Sequence, residues 1–160
     1  LLEDVEIPAA NLVGTENGSF GQVMRQMEHE RGGIDRLVSN RRLYVDALAS
    51  ADRGSPLVRQ DIARLESVYS VGRNMILREV LGQAPQGWSA VTKTLCTEVE
   101  QDVADFCVKV AGADALAWNR VSRGICYAPA YTLMGGTTQV LRNIIGERML
   151  GLPREPRPSA

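Results

Sequence analysis

Aromatic residues are scarce in this chain of 160 residues, of which they make up only 5%. β-Sandwiches and barrels are rich in aromatic and β-branched side chains, so this scarcity, beside plentiful Ala, Leu and Val, favours packed helices. Histidine occurs once, which excludes a metal site built from several His ligands within the chain. We therefore expect an all-α protein and predict no metal site.

The chain also lacks an excess of charge and any long apolar run. Its formal net charge is −1, which does not suggest electrostatic binding of nucleic acid. Its apolar runs are far shorter than the ~20 residues that span a membrane, and its acidic start does not resemble a signal peptide. Cys96, Cys107 and Cys126 are odd in number and lack the close spacing of metal ligands. We predict free, mostly buried thiols and a cytoplasmic location.

The chain is long enough for one domain with a single core. Residues 1–14 carry Pro8 and Gly14 around a short apolar run, and we interpret them as an extended connector. Residues 15–152 form the predicted helical domain. Residues 153–160 contain several prolines and are predicted to be a flexible tail.

Apolar residues recur at helical spacing through most of the domain. The section from Asp114 to Gly136 is less regular. Three long helices and a shorter fourth predict an antiparallel up-and-down four-helix bundle with a short extended N-terminal connector. The predicted helices are 20–49, 56–81, 89–110 and a last one that follows Gly135–Thr138 and ends at Gly151.

Two charges fall on the apolar stripe of the first predicted helix. Glu30 lies three residues after Met27 and four before Ile34, so it should share their face, and Arg31 follows it. A buried charge is costly unless it is paired or used, and an ionisable group in a dry cleft is a candidate catalytic group. The alternative is a charged helix edge that is solvated or tied to a neighbouring helix. The full stripe is Phe20, Val23, Met27, Ile34, Leu37, Val38, Val45 and Leu48.

Four segments resemble, in order and spacing, the C-terminal half of the acyl-CoA dehydrogenases. They are Val5–Gly14, Met27–Arg31, Pro56–Gln60 and Gly135–Arg148, the last being similar to a closing Gly-Thr-x-Gln-x-x-Arg segment. The resemblance covers nearly the whole chain. It implies that residues 1–14 are a connector from a missing β-domain, and that the chain corresponds to about one third of an enzyme.

The resemblance implies a flavoenzyme of lipid catabolism that oxidises an acyl-CoA to the trans-2-enoyl-CoA. A carboxylate takes the α-proton, a hydride leaves the β-carbon for FAD, and an electron-transfer flavoprotein or a similar acceptor reoxidises the cofactor. Such enzymes are homo- or hetero-oligomers, and FAD bridges their subunits. The isolated fragment is expected to be inactive, because the family's FAD site lies partly in the missing domains.

The resemblance also indicates which residue is the base, because this chain differs from many family members at one position. Many family members carry a Glu directly before the Gly-Thr of the closing segment, where this chain has Gly135. A minority carry the base on the first C-terminal helix, one residue before an Arg, and Glu30 with Arg31 matches that position. Glu30 is therefore the predicted catalytic base.

The resemblance also assigns roles near the substrate. Arg31 would lie beside the substrate, although a salt bridge to another helix is the alternative. Gly136 would allow close approach of the acyl group and the flavin, although it could instead be a plain hinge.

Four positions correspond to family residues near FAD. Thr137 and Gln139 would lie near the cofactor unless they only cap the last helix, and Gln60 would meet the FAD of a partner subunit. Arg53 is a weaker match to an Arg on the FAD diphosphate, and a surface Arg is the alternative. A non-catalytic helical subunit or assembly module of a hetero-oligomeric enzyme also remains open. The acyl chain, whether straight, branched or sterol, is not determined by the sequence.

Overall fold

The computed structural model describes residues 1–32, 34–154 and 156. Within these residues there is no strand, and the all-α prediction is confirmed. The α-helices are α1 (Ser19–Arg31), α2 (Asp35–Val38), α3 (Arg41–Ser50), α4 (Pro56–Val80), α5 (Trp88–Ala111), α6 (Arg120–Leu133) and α7 (Thr138–Ile144). Short 3₁₀-helices occupy Ala9–Asn11 and Gly112–Leu116, and a π-helical turn, Ile145–Met149, follows α7.

Helix α5 is the centre of the bundle, because each of the other α-helices in the described residues packs against it. The core side chains come mainly from α3, α4 and α5. Tyr44, Tyr69 and Phe106 form its aromatic centre, with ring centroids 5.6 Å apart in both pairs that include Tyr44. The core cluster consists of Leu37, Leu43, Tyr44, Ala47, Leu65, Tyr69, Ile76, Cys96, Val99, Val103, Phe106 and Cys107.

The prediction of one continuous helix over 20–49 was wrong. The chain leaves helical geometry at Gly32, whose ψ is 170°, and the segment becomes the three helices α1, α2 and α3. A Cβ atom at Gly32 would overlap the Glu79 carboxylate of α4, so a larger residue at this position would displace that side chain. The neighbouring Gly33 lies outside the described residues.

The predicted apolar stripe is only partly buried. The helices after the break begin in a new rotational phase, and before it Phe20 and Val23 of α1 are already exposed. Leu37 is buried as predicted, whereas five members of the stripe are exposed. Leu43, Tyr44 and Ala47 of α3 supply the core instead. The exposed members are Phe20, Val23, Ile34, Val38 and Val45.

The two central long helices agree with the sequence prediction. Pro56 opens α4 at its first turn, where a missing N–H leaves no intrahelical bond unmade. Gly87, with a φ of 83°, precedes the first residue of α5. Both helices begin and end within a residue or two of the predicted bounds.

The irregular section predicted between Asp114 and Gly136 is in fact mostly helix α6. Its start is fixed by a capping box, in which the Asn119 side chain accepts hydrogen bonds from the backbone N–H groups of Val121 and Ser122. The Ser122 hydroxyl in turn accepts from the backbone N–H of Asn119 at 3.0 Å. The fourth long arm of the bundle is therefore α6, and the predicted last helix is the shorter α7 with its π-helical turn.

The start of the chain lies outside the core. Residues 1–14 are exposed and contain a single 3₁₀ turn, and Gln22 of α1 holds their end by donating to the carbonyl of Val13 at 3.0 Å. The division at residues 14 and 152 stays a prediction. Most of the predicted tail, 155 and 157–160, lies outside the described residues.

Two of the three thiols are buried, Cys96 and Cys107, whereas Cys126 is exposed. No helix within the described residues is both long enough and apolar enough to cross a membrane.

Candidate functional site

The end of α1 and the loop before α7 meet in space, although they are far apart in sequence. Arg31 Nε donates a hydrogen bond to the carbonyl of Gly135 at 3.0 Å, across a separation of 104 residues. Gly136 lies against the same guanidinium, since a Cβ atom there would be 3.6 Å from an Arg31 Nη atom. Three of the residues singled out from the sequence, Glu30, Arg31 and Gly136, therefore belong to one region.

Glu30 does not face the core as the predicted stripe required. Its side chain is 58% exposed, and its Oε1 lies 4.0 Å from an Nη atom of Arg36 in α2. The expectation failed because Ile34, which defined the buried face with Met27, lies beyond the break at Gly32 and is itself exposed. Glu30 is thus a surface carboxylate at the edge of the region, held by a loose ion pair.

Arg36 connects Glu30 to the loop. Its side chain is 17% exposed, and the same Nη2 atom that meets Glu30 lies 3.8 Å from where a Cβ atom on Gly135 would be. Its Nε is buried and makes no hydrogen bond within the described part of the chain. A carboxylate on Glu30 and a side chain at position 135 would therefore both adjoin this one guanidinium.

A buried lysine lies beneath the same loop, and the sequence analysis missed it. Lys93 of α5 is fully buried, and its Nζ donates to the carbonyl of Gly136 at 2.6 Å. Burial, with the positive charges of Arg36 and Arg31, lowers the pKa of Lys93 to about 8. A signal for it existed, because Lys93 lies seven residues before Glu100 and three before the buried Cys96, on one helix face.

Glu100 is the second fully buried charge-bearing group of α5. Neither carboxylate oxygen accepts a hydrogen bond of good geometry from a described residue. Burial raises its pKa to about 8, although the nearby backbone N–H groups of Asn40 and Ser39 offset part of the rise. Burial thus favours the protonated form of this carboxyl group. Tyr69, Cys96 and Tyr131 are the other titratable groups that face it.

The four positions that the resemblance relates to FAD fall into two pairs. Thr137 and Gln139 stand at the start of α7, where the Thr137 hydroxyl also accepts from the backbone N–H of Val140 at 3.3 Å and so caps the helix. Arg53 and Gln60 are exposed at the start of α4. The loop of Arg53 is fixed by Arg59, whose Nη1 donates to the carbonyls of Arg53 and Gly54 at 3.0 and 2.8 Å.

The two pairs lie at opposite ends of α5. The loop before α7 is bonded to Lys93 near the start of that helix, whereas the first turns of α4 pair with its other end through Asp61 and Lys109, 3.0 Å apart. At ~1.5 Å per residue, positions 93 and 109 are roughly 24 Å apart. A single small ligand therefore does not meet both pairs within one copy of the chain.

Two clefts open on the bundle, and the first of them includes a residue of this region. One, of about 160 Å³, lies between α1 and the start of α5 and is lined partly by Met24, Arg31 and Ala90. The other, of about 460 Å³, is an open, arginine-rich cleft between α3 and α6, lined by Arg42 and Arg123 among others.

Comparison with known proteins places the chain in a family. Residues 17–150 match the family described as "Acyl-CoA dehydrogenase, C-terminal domain". The match covers most of the 160 residues, and the chain belongs to this family.

Curated relatives agree with this assignment. The acyl-CoA dehydrogenase IpdE1 of Mycobacterium tuberculosis is 27% identical over 97% of the chain and 44% of its own length. Acyl-CoA dehydrogenase FadE26 of the same organism is 31% identical over 96% of the chain and 45% of its length. The mitochondrial long-chain specific acyl-CoA dehydrogenase of Mus musculus is 23% identical over 92% of the chain and 38% of its length. The chain thus spans less than half the length of these relatives.

Solved structures show the same fold. The ChsE4–ChsE5 complex from Mycobacterium tuberculosis is 28% identical, with a TM-score of 0.72 over 94% of the chain and 44% of the matched protein. A structure described as the Tcur3481–Tcur3483 steroid ACAD is 24% identical, with a TM-score of 0.77 over 96% of the chain and 44% of that protein.

Proposed function

We propose that this chain is the helical C-terminal part of a flavin-dependent acyl-CoA dehydrogenase, in which Glu30 removes the α-proton of the acyl-CoA. The contact that carries the proposal is that of Arg36, which adjoins both Glu30 and position 135. Those are the two positions at which the family's resemblance places the base. A carboxylate on α1 therefore occupies the region that a carboxylate at position 135 would occupy.

The residues of the chain have separate tasks in this reaction. Glu30 accepts the proton at a carboxylate oxygen, because it is the acid beside the loop, and Arg36 restrains the direction in which that carboxylate points. Arg31 holds the carbonyl of Gly135, and Gly136 has no side chain that would keep the acyl group away. The exposure of Glu30 leaves it accessible to a thioester that approaches from outside the bundle.

The residues assigned to FAD fit an elongated cofactor shared between two copies. FAD supplies hydride acceptance when it is bound. Thr137 and Gln139 present a hydroxyl and an amide at one end of the bundle, and Arg53 presents an exposed guanidinium suited to a diphosphate at the other. Since the two pairs are roughly 24 Å apart along α5, we propose that one subunit supplies the first pair and its partner supplies Arg53 and Gln60.

The substitution Glu30→Gln tests the assignment of the base. In the complete flavoprotein that contains this chain, we expect the turnover of acyl-CoA to fall by about 10²- to 10⁴-fold, because the amide cannot accept the proton. The flavin absorbance should remain, since Glu30 holds no part of the proposed cofactor site. Asp35→Asn, which neutralises an exposed acid at the start of α2, is the matched control and should retain activity.

A transplant sharpens the same experiment. Adding Gly135→Glu to the Glu30→Gln variant should restore part of the activity, because a side chain at 135 starts beside the same Arg36. The left-handed φ of 67° at Gly135 limits the gain, since a residue with a Cβ is strained there. Full activity of Glu30→Gln alone would refute the assignment.

The alternative is a non-catalytic helical subunit of a two-protein enzyme. It is favoured by the structural similarity to the ChsE4–ChsE5 complex and by the exposure of Glu30. In that case Glu30→Gln would leave the activity of the assembled complex unchanged, while loss of this chain would abolish it. We expect either form to work as an oligomer with an acyl-CoA substrate and an electron-transfer flavoprotein or similar acceptor, and the 160-residue chain alone to be inactive.

A further inference from the structure

Two cations from different helices hold two successive carbonyl groups. Arg31 of α1 donates to the carbonyl of Gly135 at 3.0 Å, and Lys93 of α5 donates to the carbonyl of Gly136 at 2.6 Å. A charged donor makes a shorter and stronger hydrogen bond than a neutral one. The loop before α7 is therefore fixed at both of its glycines.

The conformation of the loop explains why it needs to be held. Gly135 and Gly136 have φ values of 67° and 97°, in the region that only glycine enters without strain, and glycine is also the residue with the most freedom to leave it. There is no cis peptide bond in the described residues, so each amide N–H points opposite to the carbonyl of its own peptide unit. With both carbonyls turned toward the cations, the N–H groups of Gly136 and Thr137 face away from them.

The position of Lys93 is unfavourable for stability. The side chain is fully buried, and the positive charges of Arg36 and Arg31 act against its own and lower its pKa. A buried ammonium that meets only a carbonyl recovers less than it would from a carboxylate, and an apolar side chain of similar volume is often as stable or more stable. Lys93 is therefore costly to the stability of the fold, and its ammonium group donates to a carbonyl of the loop. This combination indicates a role at the loop.

We propose that Lys93 is a positioning residue which, together with Arg31, clamps the carbonyls of Gly136 and Gly135 and keeps the loop before α7 in the shape that receives the acyl-CoA. The clamp is independent of the proposed function. Only the role of the loop in receiving acyl-CoA rests on the proposed function. A lysine that only filled space in the bundle would stabilise the fold and would leave the loop unaffected.

The clamp is tested on the 160-residue chain by the ¹⁵N order parameters of its backbone amides. In Lys93→Met, those of residues 135–138 should fall from about 0.85, typical of rigid backbone, to below about 0.6 at pH 7, while those of α4 are retained and the midpoint of unfolding is unchanged or raised. Lys109→Met, which alters the only other lysine of the chain, is the matched control and should leave the loop unchanged. Unaltered order parameters in the loop, or a uniform loss of order throughout the chain, would overturn the clamp.

A measurement on the unmodified chain covers the case in which Lys93→Met does not fold. With ¹⁵N-labelled lysine, only two side-chain signals arise, from Lys93 and from the exposed Lys109. The Lys93 signal should titrate near pH 8. The ¹⁵N order parameters of the loop amides should fall as the pH rises through this titration, because Lys93 then loses its charge. Loop order parameters that do not change across the titration contradict the clamp.

The role in substrate binding needs the complete flavoprotein. Lys93→Met should raise the KM for acyl-CoA at least tenfold and change kcat less than threefold, with FAD retained, and Lys93→Arg should recover part of the loss. A loosened loop with an unchanged KM would refute the positioning role. It would leave the assignment of Glu30 intact, since that assignment is decided by the turnover of Glu30→Gln.

Discussion

Helix α5 is buried in both of its halves, but the two halves bury different kinds of side chain. The half up to Glu100 buries six polar or charged residues, whereas the buried residues beyond it are all apolar. The polar set is Ser89, Thr92, Lys93, Thr94, Thr97 and Glu100, and the apolar set is Val103, Ala104, Phe106 and Cys107.

The polar half differs again within itself. The hydroxyl groups of Thr92, Thr94 and Thr97 donate to carbonyls one turn earlier in their own helix, at 3.3, 2.8 and 2.8 Å. They need no partner elsewhere, so they are inexpensive to bury. Lys93 and Glu100 have no such side-chain hydrogen bond within their own helix. Both lie beside places where the surrounding helices are interrupted.

One of these two interruptions, the loop before α7, belongs to the proposed site. Lys93 meets the loop before α7, and Glu100 meets Ser39 and Asn40 between α2 and α3. The apolar half instead meets the continuous helices α3 and α4, through contacts such as that of Phe106 with Tyr44. The apolar half thus packs against regular helices. The polar half buries charged groups, at a cost in stability, where the backbone beside it is irregular.

The largest effect on stability should come from the apolar half. Phe106→Ala removes a ring that is 2% exposed, and we expect the free energy of unfolding to fall by about 3–5 kcal/mol, from lost burial and the cavity left behind. Urea denaturation of the chain at pH 7 measures it. Phe106→Leu, which keeps most of the volume, should lose less than about 1.5 kcal/mol. A small effect of Phe106→Ala would remove the distinction between the two halves.

Buried Glu100 should produce a smaller effect that depends on pH. Because its folded pKa, about 8, lies above its ordinary value of 4.5, the folded state binds more protons between those limits. The stability it contributes is therefore fully present below pH 4.5 and is lost as pH rises toward and through 8. Glu100→Gln lacks this loss, so relative to the unmodified chain it should gain on the order of 1–3 kcal/mol between pH 5 and pH 8.5.

The measurement for Glu100 is the difference between the two chains, which cancels the titration of groups common to both. The titratable groups that face Glu100 are Tyr69, Cys96 and Tyr131, and burial raises the pKa of each, so none of them ionises within this window. Parallel stability curves of Glu100→Gln and the unmodified chain would contradict the assignment of a protonated buried acid.

The parts of the fold that follow from local chemistry could be predicted from the sequence. Helices α4 and α5 were predicted because Pro56 and the Gly82–Gly87 segment mark their ends and a regular apolar period fills the space between them. Helix α6 was missed although its signal was local. Asn119 stands three residues before Ser122 and forms the capping box, and the helix that follows accommodates Pro129.

The parts that depend on distant residues could not be predicted in this way. The break at Gly32 lies against Glu79 of α4, 47 positions further along the chain, and helix propensity contains no information about such a contact. Lys93 finds its acceptor 43 residues away at Gly136, so periodicity reveals its buried face but not its partner. The proximity of Glu30 to position 135 was expected only from the family resemblance.

The smallest effect should come from a charge pair on the surface of the apolar half. Lys109 and Asp61 form a salt bridge of 3.0 Å, in which the lysine side chain is 60% exposed. An exposed pair of this kind contributes at most about 0.2–1 kcal/mol, because water and salt screen it and both side chains lose freedom. Lys109→Met should therefore shift the free energy of unfolding by less than about 0.5 kcal/mol. If Lys109→Met instead destabilised the chain as much as Phe106→Ala, an exposed charge would matter as much to stability as a buried side chain. The difference in burial between Lys93 and Lys109 would then not explain a difference in their roles.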